Sequence, residues 1–283
     1  MEESLAPTLK SLLGKARRAW SRFEKGEEDG LHDFRVSVRR LHTLLKAFRK
    51  SIKGKLPKKQ IQGLKAIIAA SNRSRDQEVW LAWLEAHKER LEPQAAQTLE
   101  REIARLRSRL NALRRRIRFE FRRPFQDLCE SLRTHCRLCR VRAGTAKEMV
   151  QEYSQEVRRR LSRLESERQK GRIHKARISV KRLRYLLEPL AGAPDLKKAV
   201  EDLRSAQGIL GQIHDLHVFS AQAIRIAPEE LPRLMKEERR SLFETLRKTC
   251  LKRCLALCRG LALRAPSIRW RAEEASDPWP PSR

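Results

Sequence analysis

The sequence contains one amphipathic helix pattern twice, and this repeat constrains the fold more than any other feature. The segment His32-Asp-Phe-Arg-Val-Ser-Val-Arg-Arg-Leu41 aligns with His174-Lys-Ala-Arg-Ile-Ser-Val-Lys-Arg-Leu183, 142 residues further along. A second match follows in the same order, between the segments that end at Asp76 and at Asp215. Two matched pairs predict two copies of one helical unit of about 140 residues.

Helical periodicity also governs the rest of the chain. Apolar residues recur every three or four positions, whereas the alternation of a β-strand is almost absent. Glycine and proline lie mostly between the periodic segments. Helices are predicted over residues 5–23, 31–50, 58–70, 76–91, 101–123, 125–140, 146–168, 173–190, 196–223 and 229–260. The pattern indicates an all-α fold with a first helical bundle over 1–144, a second over 145–265, and a flexible C-terminal tail over 266–283.

In each copy a line of basic residues runs beside the apolar stripe. The apolar stripes are Leu31, Phe34, Val38, Leu41, Leu45 and Phe48, and Ile173, Ala176, Val180, Leu183, Leu187 and Leu190. One position later, about 100° around the helix axis, lie His32, Arg35, Arg39, His42, Lys46 and Arg49, and in the second copy His174, Arg177, Lys181 and Arg184. A solvated helix face usually mixes charges. A repeated line of one sign therefore predicts a track for a linear anion.

The composition limits the partners. The formal net charge is +30, from 65 Lys+Arg against 35 Asp+Glu, so a polyanion is expected to share the surface. Nucleic acid, an anionic membrane and a polyanionic metabolite are the candidates. No apolar stretch is long enough to span a membrane, and the N-terminus does not resemble a secretion signal. The six cysteines are interpreted as buried apolar residues of a cytoplasmic protein, with the alternative of a zinc site at Cys136-x-x-Cys139.

The second matched motif places Asp76 and Asp215 at equivalent positions. Neither has a second carboxylate at ligand spacing, so each is expected to be buried and to orient an arginine rather than to hold a metal. Gly208 and Gly211 are expected to permit close helix approach. Two further lines of residues are expected to face the basic stripes: Lys58, Lys65 and Asn72, and Lys197, Arg204 and Gly211. His32 and His174 have no candidate nucleophile nearby, which favours a structural or phosphate-binding role.

These motifs resemble those of the CHAD domain, the conserved histidine α-helical domain. The resemblance rests on His32-x-x-Arg35-Val-x-Val-Arg39-Arg40-Leu41, on its second copy ending at Arg184-Tyr185 with Glu188, and on Arg75-Asp76 and His214-Asp215. It implies two antiparallel four-helix bundles related by pseudo-two-fold symmetry. It also implies binding of inorganic polyphosphate in a basic groove or channel between the repeats, and association with polyphosphate granules.

The sequence-based hypothesis is therefore non-enzymatic binding of inorganic polyphosphate in the cytoplasm, without a cofactor or metal and without a membrane partner. Its candidate site residues are His32, Arg35, Arg39, Arg40, His42, Lys46, Arg49, Lys65, Arg75, His174, Arg177, Lys181, Arg182, Arg184, Arg204 and His214. The alternative is a basic helical protein that binds RNA or DNA. It is disfavoured because only 5% of residues are aromatic and most phenylalanines lie on apolar stripes. An enzyme that cleaves phosphoanhydrides is also disfavoured, because it needs a metal-binding cluster of carboxylates and the sequence shows none. The arginine-covered helix 101–123 is interpreted as a solvated face, with a second anion-binding surface as the alternative. The oligomeric state stays open.

Overall fold

The computed structural model describes residues 2–52, 58–136, 139–142, 144–190 and 194–263, and this part of the chain is almost entirely helical. Its helices are α1 (Ala6–Glu24), α2 (Gly30–Phe48), α3 (Lys58–His87), α4 (Pro93–Cys136), α5 (Thr145–Leu161), α6 (Lys170–Leu187), α7 (Pro194–Ile226), α8 (Glu230–Thr245) and α9 (Lys252–Leu263). Short 3₁₀ turns cover Lys88–Arg90 and Glu188–Leu190, and a π-helical segment, Leu246–Leu251, joins α8 to α9. The predicted all-α class is confirmed. The predicted tail from residue 266 lies outside the described residues.

The helices form two groups. The first contains α1 to α4, and the second contains α5, α6, α7 and the continuous helix made of α8, the π-helical segment and α9. In the first group α1 packs against α2, α2 against α3, α3 against α4, and α4 against α1. In the second group α5 packs against α6, α6 against α7 and α7 against α8, while α9 returns to α5. Helices in equivalent positions also meet, since α2 contacts α6 and α3 contacts α7. The division into two domains at residue 144 stays a prediction, because one buried apolar cluster contains residues from both groups.

The two apolar stripes form the centre of that cluster. Every residue of the α2 stripe is at most 1% exposed, and every residue of the second stripe at most 2%. Trp20, Phe34 and Phe125 join α1, α2 and α4 through ring contacts of 4.8 to 5.4 Å between centroids. A second buried cluster around Trp80 and Leu231 joins α3 and α4 to α7 and α8. The helical spacing of apolar residues therefore predicted the core of the α2 and α6 layers correctly.

Two predicted helix breaks are wrong. The segments 58–70 and 76–91 are joined in α3, because Ser71 and Ser74 between them are buried in the helix, and Ser71 Oγ donates a hydrogen bond to the carbonyl of Ile68 (3.1 Å). The segments 101–123 and 125–140 are likewise joined in α4, which contains Pro124 in its interior. Proline removes one helical hydrogen bond. Pro124 is exposed, so water can form a hydrogen bond with the helix carbonyl that has no N–H donor at Pro124.

A small antiparallel sheet was also missed. Strands β1 (Glu2–Ser4) and β2 (Arg140–Arg142) pair with Ser4 opposite Arg140, and they tie the N-terminus to the connection between α4 and α5. Three-residue strands are too short to produce a recognisable alternation. Cys139 lies in this connection rather than on α4, so the helix predicted to continue to residue 140 ends earlier, at Cys136.

Five of the six cysteines are buried, as the sequence predicted. Cys129, Cys139, Cys250, Cys254 and Cys258 have at most 5% of their surface exposed. Burial raises the pKa of the Cys129, Cys254 and Cys258 thiols to about 12. None of the helices in the described part of the chain combines the length and apolar character that a bilayer crossing needs.

The aromatic contact of α1, α2 and α4 gives a stability prediction. Phe34→Ala removes a ring that is 0% exposed, and we expect it to lower the free energy of unfolding by about 3–5 kcal/mol. Phe119→Ala is the matched control, because Phe119 is 88% exposed, and we expect a change of no more than about 0.5 kcal/mol. Chemical denaturation followed by circular dichroism measures both. Equal effects of the two substitutions would contradict the packing.

Candidate anion-binding site

The basic lines of the two repeats come together where α2 packs against α6. Arg35 and Arg39 extend from α2, and Arg177 and Lys181 from α6. The charges of neighbouring members act on one another: Arg39 opposes the charge of Arg35, Arg177 opposes that of Arg39, and both Arg39 and Arg177 oppose that of Lys181. We call these four residues the central cation cluster. The sequence predicts them on two separate helices, and the fold brings these helices together so that the positive charges of neighbouring members interact.

The cluster is partly inside the protein. Arg35 is only 4% exposed, and the other three side chains are half-buried. At the ends of the α2 line, His32, Lys46 and Arg49 are exposed. The reason is geometric, since a line about 100° from the core stripe lies at the edge of the helix contact where a second helix covers it. The α2 line therefore begins in solvent, passes beside α6 and ends in solvent again.

Burial and like charges make the cationic state costly. Burial, followed by the neighbouring charge of Arg39, lowers the pKa of Arg35 to about 9. Burial lowers the pKa of Lys181 to about 7, with further contributions from Arg39 and Arg177. Burial also lowers the pKa of Arg39. Near neutral pH the free protein thus holds Lys181 close to the point at which it loses its proton.

The described residues supply the cluster with little neutralisation. Asn72 Oδ1 on α3 accepts a hydrogen bond from Arg39 Nη2 at 2.5 Å. No carboxylate in the described part of the chain forms an ion pair with Arg35, Arg177 or Lys181, and Arg35 Nε and Nη2 are buried without a hydrogen-bond partner there. Glu78 and Asp76 support the charge of Arg35 only from a distance. Partly buried cations that lack a direct carboxylate partner form a site that favours an anion.

The third helix of each group, α3 in the first and α7 in the second, faces the cluster at one position. Asn72 contacts Arg39, and a Cβ atom added to Gly211 would lie 3.5 Å from Arg177 Nε, so this part of the predicted facing lines is confirmed. Gly208 does not mediate close helix approach, because a Cβ atom there would meet nothing within 4 Å. Gly211 instead leaves room for the Arg177 side chain.

The histidines have different environments in the two repeats. The rings of His174 and His214 lie 4.7 Å apart, and the buried Nδ1 atoms of both have no partner among the described residues. Burial and Arg177 lower the pKa of His214 to about 4 and that of His174 in the same direction. On α2, burial and then Lys46 and Lys65 lower the pKa of His42. His32 is exposed and lines an open surface pocket together with Arg75 and Glu78.

The aspartates do not orient arginines as predicted. Asp76 is exposed, and neither Asp76 nor Asp215 forms an ion pair with a described residue. Asp215 is half-buried, and burial raises its pKa, although Arg177 and Arg75 oppose that rise. Its carboxylate therefore moderates the field of the cluster from a distance without binding one of its cations directly.

Other candidate residues lie outside the cluster. Glu188 forms an ion pair with Arg40, whose Nη2 donates a hydrogen bond to Oε1 at 3.1 Å, and an ion pair with Arg184 (Nη1–Oε1, 3.3 Å), so these two guanidinium groups are already paired. The carbon Cζ of Arg184 lies 4.7 Å from the centroid of the Tyr185 ring. Arg40, Glu188 and Arg204 line a separate cleft of about 330 Å³ that also contains Lys15 and Lys197. Lys15 was not anticipated, because it lies in α1 and outside the repeated motifs. Arg182 is exposed, and its charge opposes that of Lys181.

The donor set does not resemble a metal centre. Among the described residues, no group of three or more His, Cys, Asp or Glu side chains lies in a position to hold a metal ion. The chemistry concentrated at the α2–α6 contact is that of guanidinium, ammonium and imidazole donors.

Comparison with known proteins agrees with this architecture. The family model described as "CHAD domain" matches residues 9–223. The structure is similar to the crystal structure of the CHAD domain from the plant Ricinus communis, with 22% identity, a TM-score of 0.68 and 95% of each chain covered. It is also similar to PptA from Streptomyces chartreusis, with 15% identity, a TM-score of 0.67, and 90% of this chain and 97% of that chain covered. A search of curated protein sequences gives no match. Because the family model spans most of the chain and includes both copies of the histidine motif, the chain belongs to the CHAD domain family.

Proposed function

We propose that the protein binds inorganic polyphosphate at the central cation cluster and along the exposed ends of the basic lines. The observation that carries the proposal is the convergence of Arg35, Arg39, Arg177 and Lys181 without a carboxylate ion pair to Arg35, Arg177 or Lys181 in the described part of the chain. A bound polyanion supplies the negative charge that the described carboxylates do not provide through ion pairs. Membership of the CHAD family supports the same ligand.

The linear arrangement supports a chain-like ligand over a compact one. The α2 line extends from His32 to Arg49, which corresponds to roughly 25 Å at the rise of an α-helix. Its middle adjoins the α6 line, and its ends lie in solvent. A polyphosphate chain presents phosphate charges along its whole length, so it can contact the cluster and the exposed cations at the same time.

The proposal includes binding without catalysis and association with polyphosphate granules. Nucleic acid is the alternative ligand for this site. Tyr185 stacks on Arg184 near the cluster but is only 4% exposed, so it offers no free ring face to a base. A ligand made only of phosphates needs no such face. Phosphate release in the presence of Mg²⁺ or Mn²⁺ is the measurement that would reveal an unexpected hydrolytic activity.

Charge reversal at the cluster tests the site. We expect Arg177→Glu with Lys181→Glu to weaken the binding of long-chain polyphosphate by roughly 100-fold or more, because two desolvated cations become anions. The matched control is Arg247→Glu with Lys248→Glu, an identical change of net charge at exposed positions, and we expect only the small loss due to the long-range field. Isothermal titration calorimetry measures both, with circular dichroism to verify helicity. Equal losses would show that net charge alone drives binding.

Chain length and competition test the shape of the ligand. We expect long-chain polyphosphate to bind more tightly than tripolyphosphate at the same phosphate concentration, because a short chain cannot reach both repeats. The affinity is expected to fall steeply with salt, as it does when counterions are released from nucleic acids. In a competition assay at moderate salt, RNA is expected not to displace the long chain from the cluster. Ready displacement by RNA would favour the nucleic-acid alternative.

The lowered pKa of Lys181 gives a pH dependence with a defined sign. In the free protein the ammonium loses its proton at about pH 7, and phosphate contact stabilises the charged form and so raises the pKa. Binding must then take up a proton as the pH rises above 7, so the affinity is expected to fall between roughly pH 7 and pH 9. Lys181→Arg keeps the charge throughout this range and is expected to flatten the profile. A profile that is unchanged in Lys181→Arg would assign the dependence to another group.

A further inference from the structure

The C-terminal half of α4 carries a large aromatic side chain in solvent. Phe119 is 88% exposed and lies in a shallow groove with Arg115, Arg118, Arg122 and Arg123, bordered by Glu24 of α1 and by Gln126. We call these four arginines and Phe119 the Phe119 surface. It lies off the core stripe of α4, because Phe119 follows the buried Ile117 by two residues and thus points about 200° away from it.

The charge on α4 is distributed unevenly. Before Phe119, Arg107 pairs with Glu85 at 2.7 Å, Arg114 with Glu78 at 3.1 Å, and Arg116 with Glu120 at 2.6 Å. In the Phe119 surface, Arg115 and Arg123 have no carboxylate partner among the described residues. Within the described residues, Glu24 forms its ion pair with Arg122, at 3.1 Å. The paired part of α4 fits the interpretation of a solvated face, and the Phe119 surface departs from it.

Neighbouring residues hold the surface in place. The carbon Cζ of Arg118 lies 4.8 Å from the centroid of the buried Phe23 ring, and Arg122 is attached to α1 through Glu24. Phe119 makes no such contact with the part of the chain that the structure describes, and its side chain is 88% exposed, so its ring faces are available. A phenylalanine with a fully solvated ring gains nothing from burial within this chain, whereas a stacking partner from outside would cover it.

We propose that the Phe119 surface binds single-stranded nucleic acid, with one base stacked on Phe119 and the adjacent phosphates held by Arg115 and Arg123. These arginines lie one helical turn before and after Phe119, roughly 6 Å away along the axis on each side. Phosphates on both sides of an unstacked base can occupy these positions. Aromatic stacking combined with flanking cations is the general mode of sequence-tolerant recognition of single strands.

Other occupants fit the surface less well. Polyphosphate has no base and gains nothing from the ring. A duplex does not present the face of an internal base. A membrane or an apolar protein partner needs several exposed apolar side chains, and Phe119 is the single large one on α4, since Val218 and Ile224, the others exposed in the described residues, belong to α7. This proposal is independent of polyphosphate binding at the central cation cluster.

The test compares substitutions of one exposed ring. Phe119→Leu removes the stacking face but keeps an apolar side chain, and Phe119→Trp keeps stacking. We expect Phe119→Leu to weaken binding of a fluorescent oligothymidylate by roughly tenfold and Phe119→Trp to retain or strengthen it, measured by fluorescence anisotropy at fixed salt. The affinity for long-chain polyphosphate is expected to stay within about twofold in both variants, because that ligand does not stack. Denaturation curves verify that both variants are folded.

The same measurements in the Arg177→Glu, Lys181→Glu background separate the two proposals. Oligothymidylate binding that survives there and still depends on Phe119 supports this surface. Binding that is lost there and indifferent to Phe119→Leu overturns the inference and assigns the oligonucleotide to the central cation cluster. An equal loss of polyphosphate and oligothymidylate affinity in Phe119→Leu also overturns it. So does binding to phosphatidylserine vesicles that requires Phe119 while oligothymidylate binding does not.

Discussion

Packing of two core stripes against the same interior forces like charges together, and the site depends on this constraint. The α2 and α6 stripes must both be buried, because together they supply much of the central apolar cluster. The basic line beside each stripe has no freedom to move elsewhere, since the helix fixes its angle. Because α2 contacts α6, the half-buried side chains of Arg39 and Lys181 lie close enough for their charges to repel each other. Hydrophobic burial thus holds in place a repulsion that the cations alone would relieve by separating.

The same constraint links stability to binding. A cluster that lowers the pKa of Lys181 to about 7 destabilises the charged form of the folded protein, and protonation of this group is more favourable in the unfolded chain. This contribution favours folding increasingly as the pH rises from about 7 toward the ordinary lysine value of 10.5. A polyanion that binds only the folded state offsets the repulsion and stabilises that state. The paired guanidinium groups of Arg40 and Arg184 at Glu188 show the contrasting solution, in which the chain neutralises its own cations.

Much of the fold could be predicted from the sequence, because the apolar period of an α-helix is a strong local signal. Phe34, Val38 and Val180 were placed in the core by spacing alone, and each is fully buried. The continuity of α3 and α4 could not be predicted, since buried Ser71 and exposed Pro124 are tolerated for reasons of tertiary context. The β1–β2 pair lies below the length at which periodicity is visible.

The site was predicted less completely than the fold. Helical spacing identified the basic lines, but burial along them depends on which helix covers each residue. Arg35 is buried and His32 is exposed, although both lie on the same basic line of α2. The pairing of Arg184 with Glu188 follows an i, i+4 spacing and was accessible in principle, whereas that of Arg40 with Glu188 joins distant segments. Phe119 could not be identified from the sequence, because the low aromatic content only disfavours a stacking surface. Exposure of a single ring cannot be derived from composition.

The proton affinity of Lys181 tests the central claim most directly. Nuclear magnetic resonance of isotope-labelled lysine side chains, assigned with Lys181→Arg, yields the pKa of this one ammonium group in the free protein and with long-chain polyphosphate bound. The account predicts a pKa of about 7 in the free protein and a clear rise on binding. A value near 10.5 in the free protein, or one that polyphosphate leaves unchanged, would contradict a desolvated cation cluster that receives the phosphate chain.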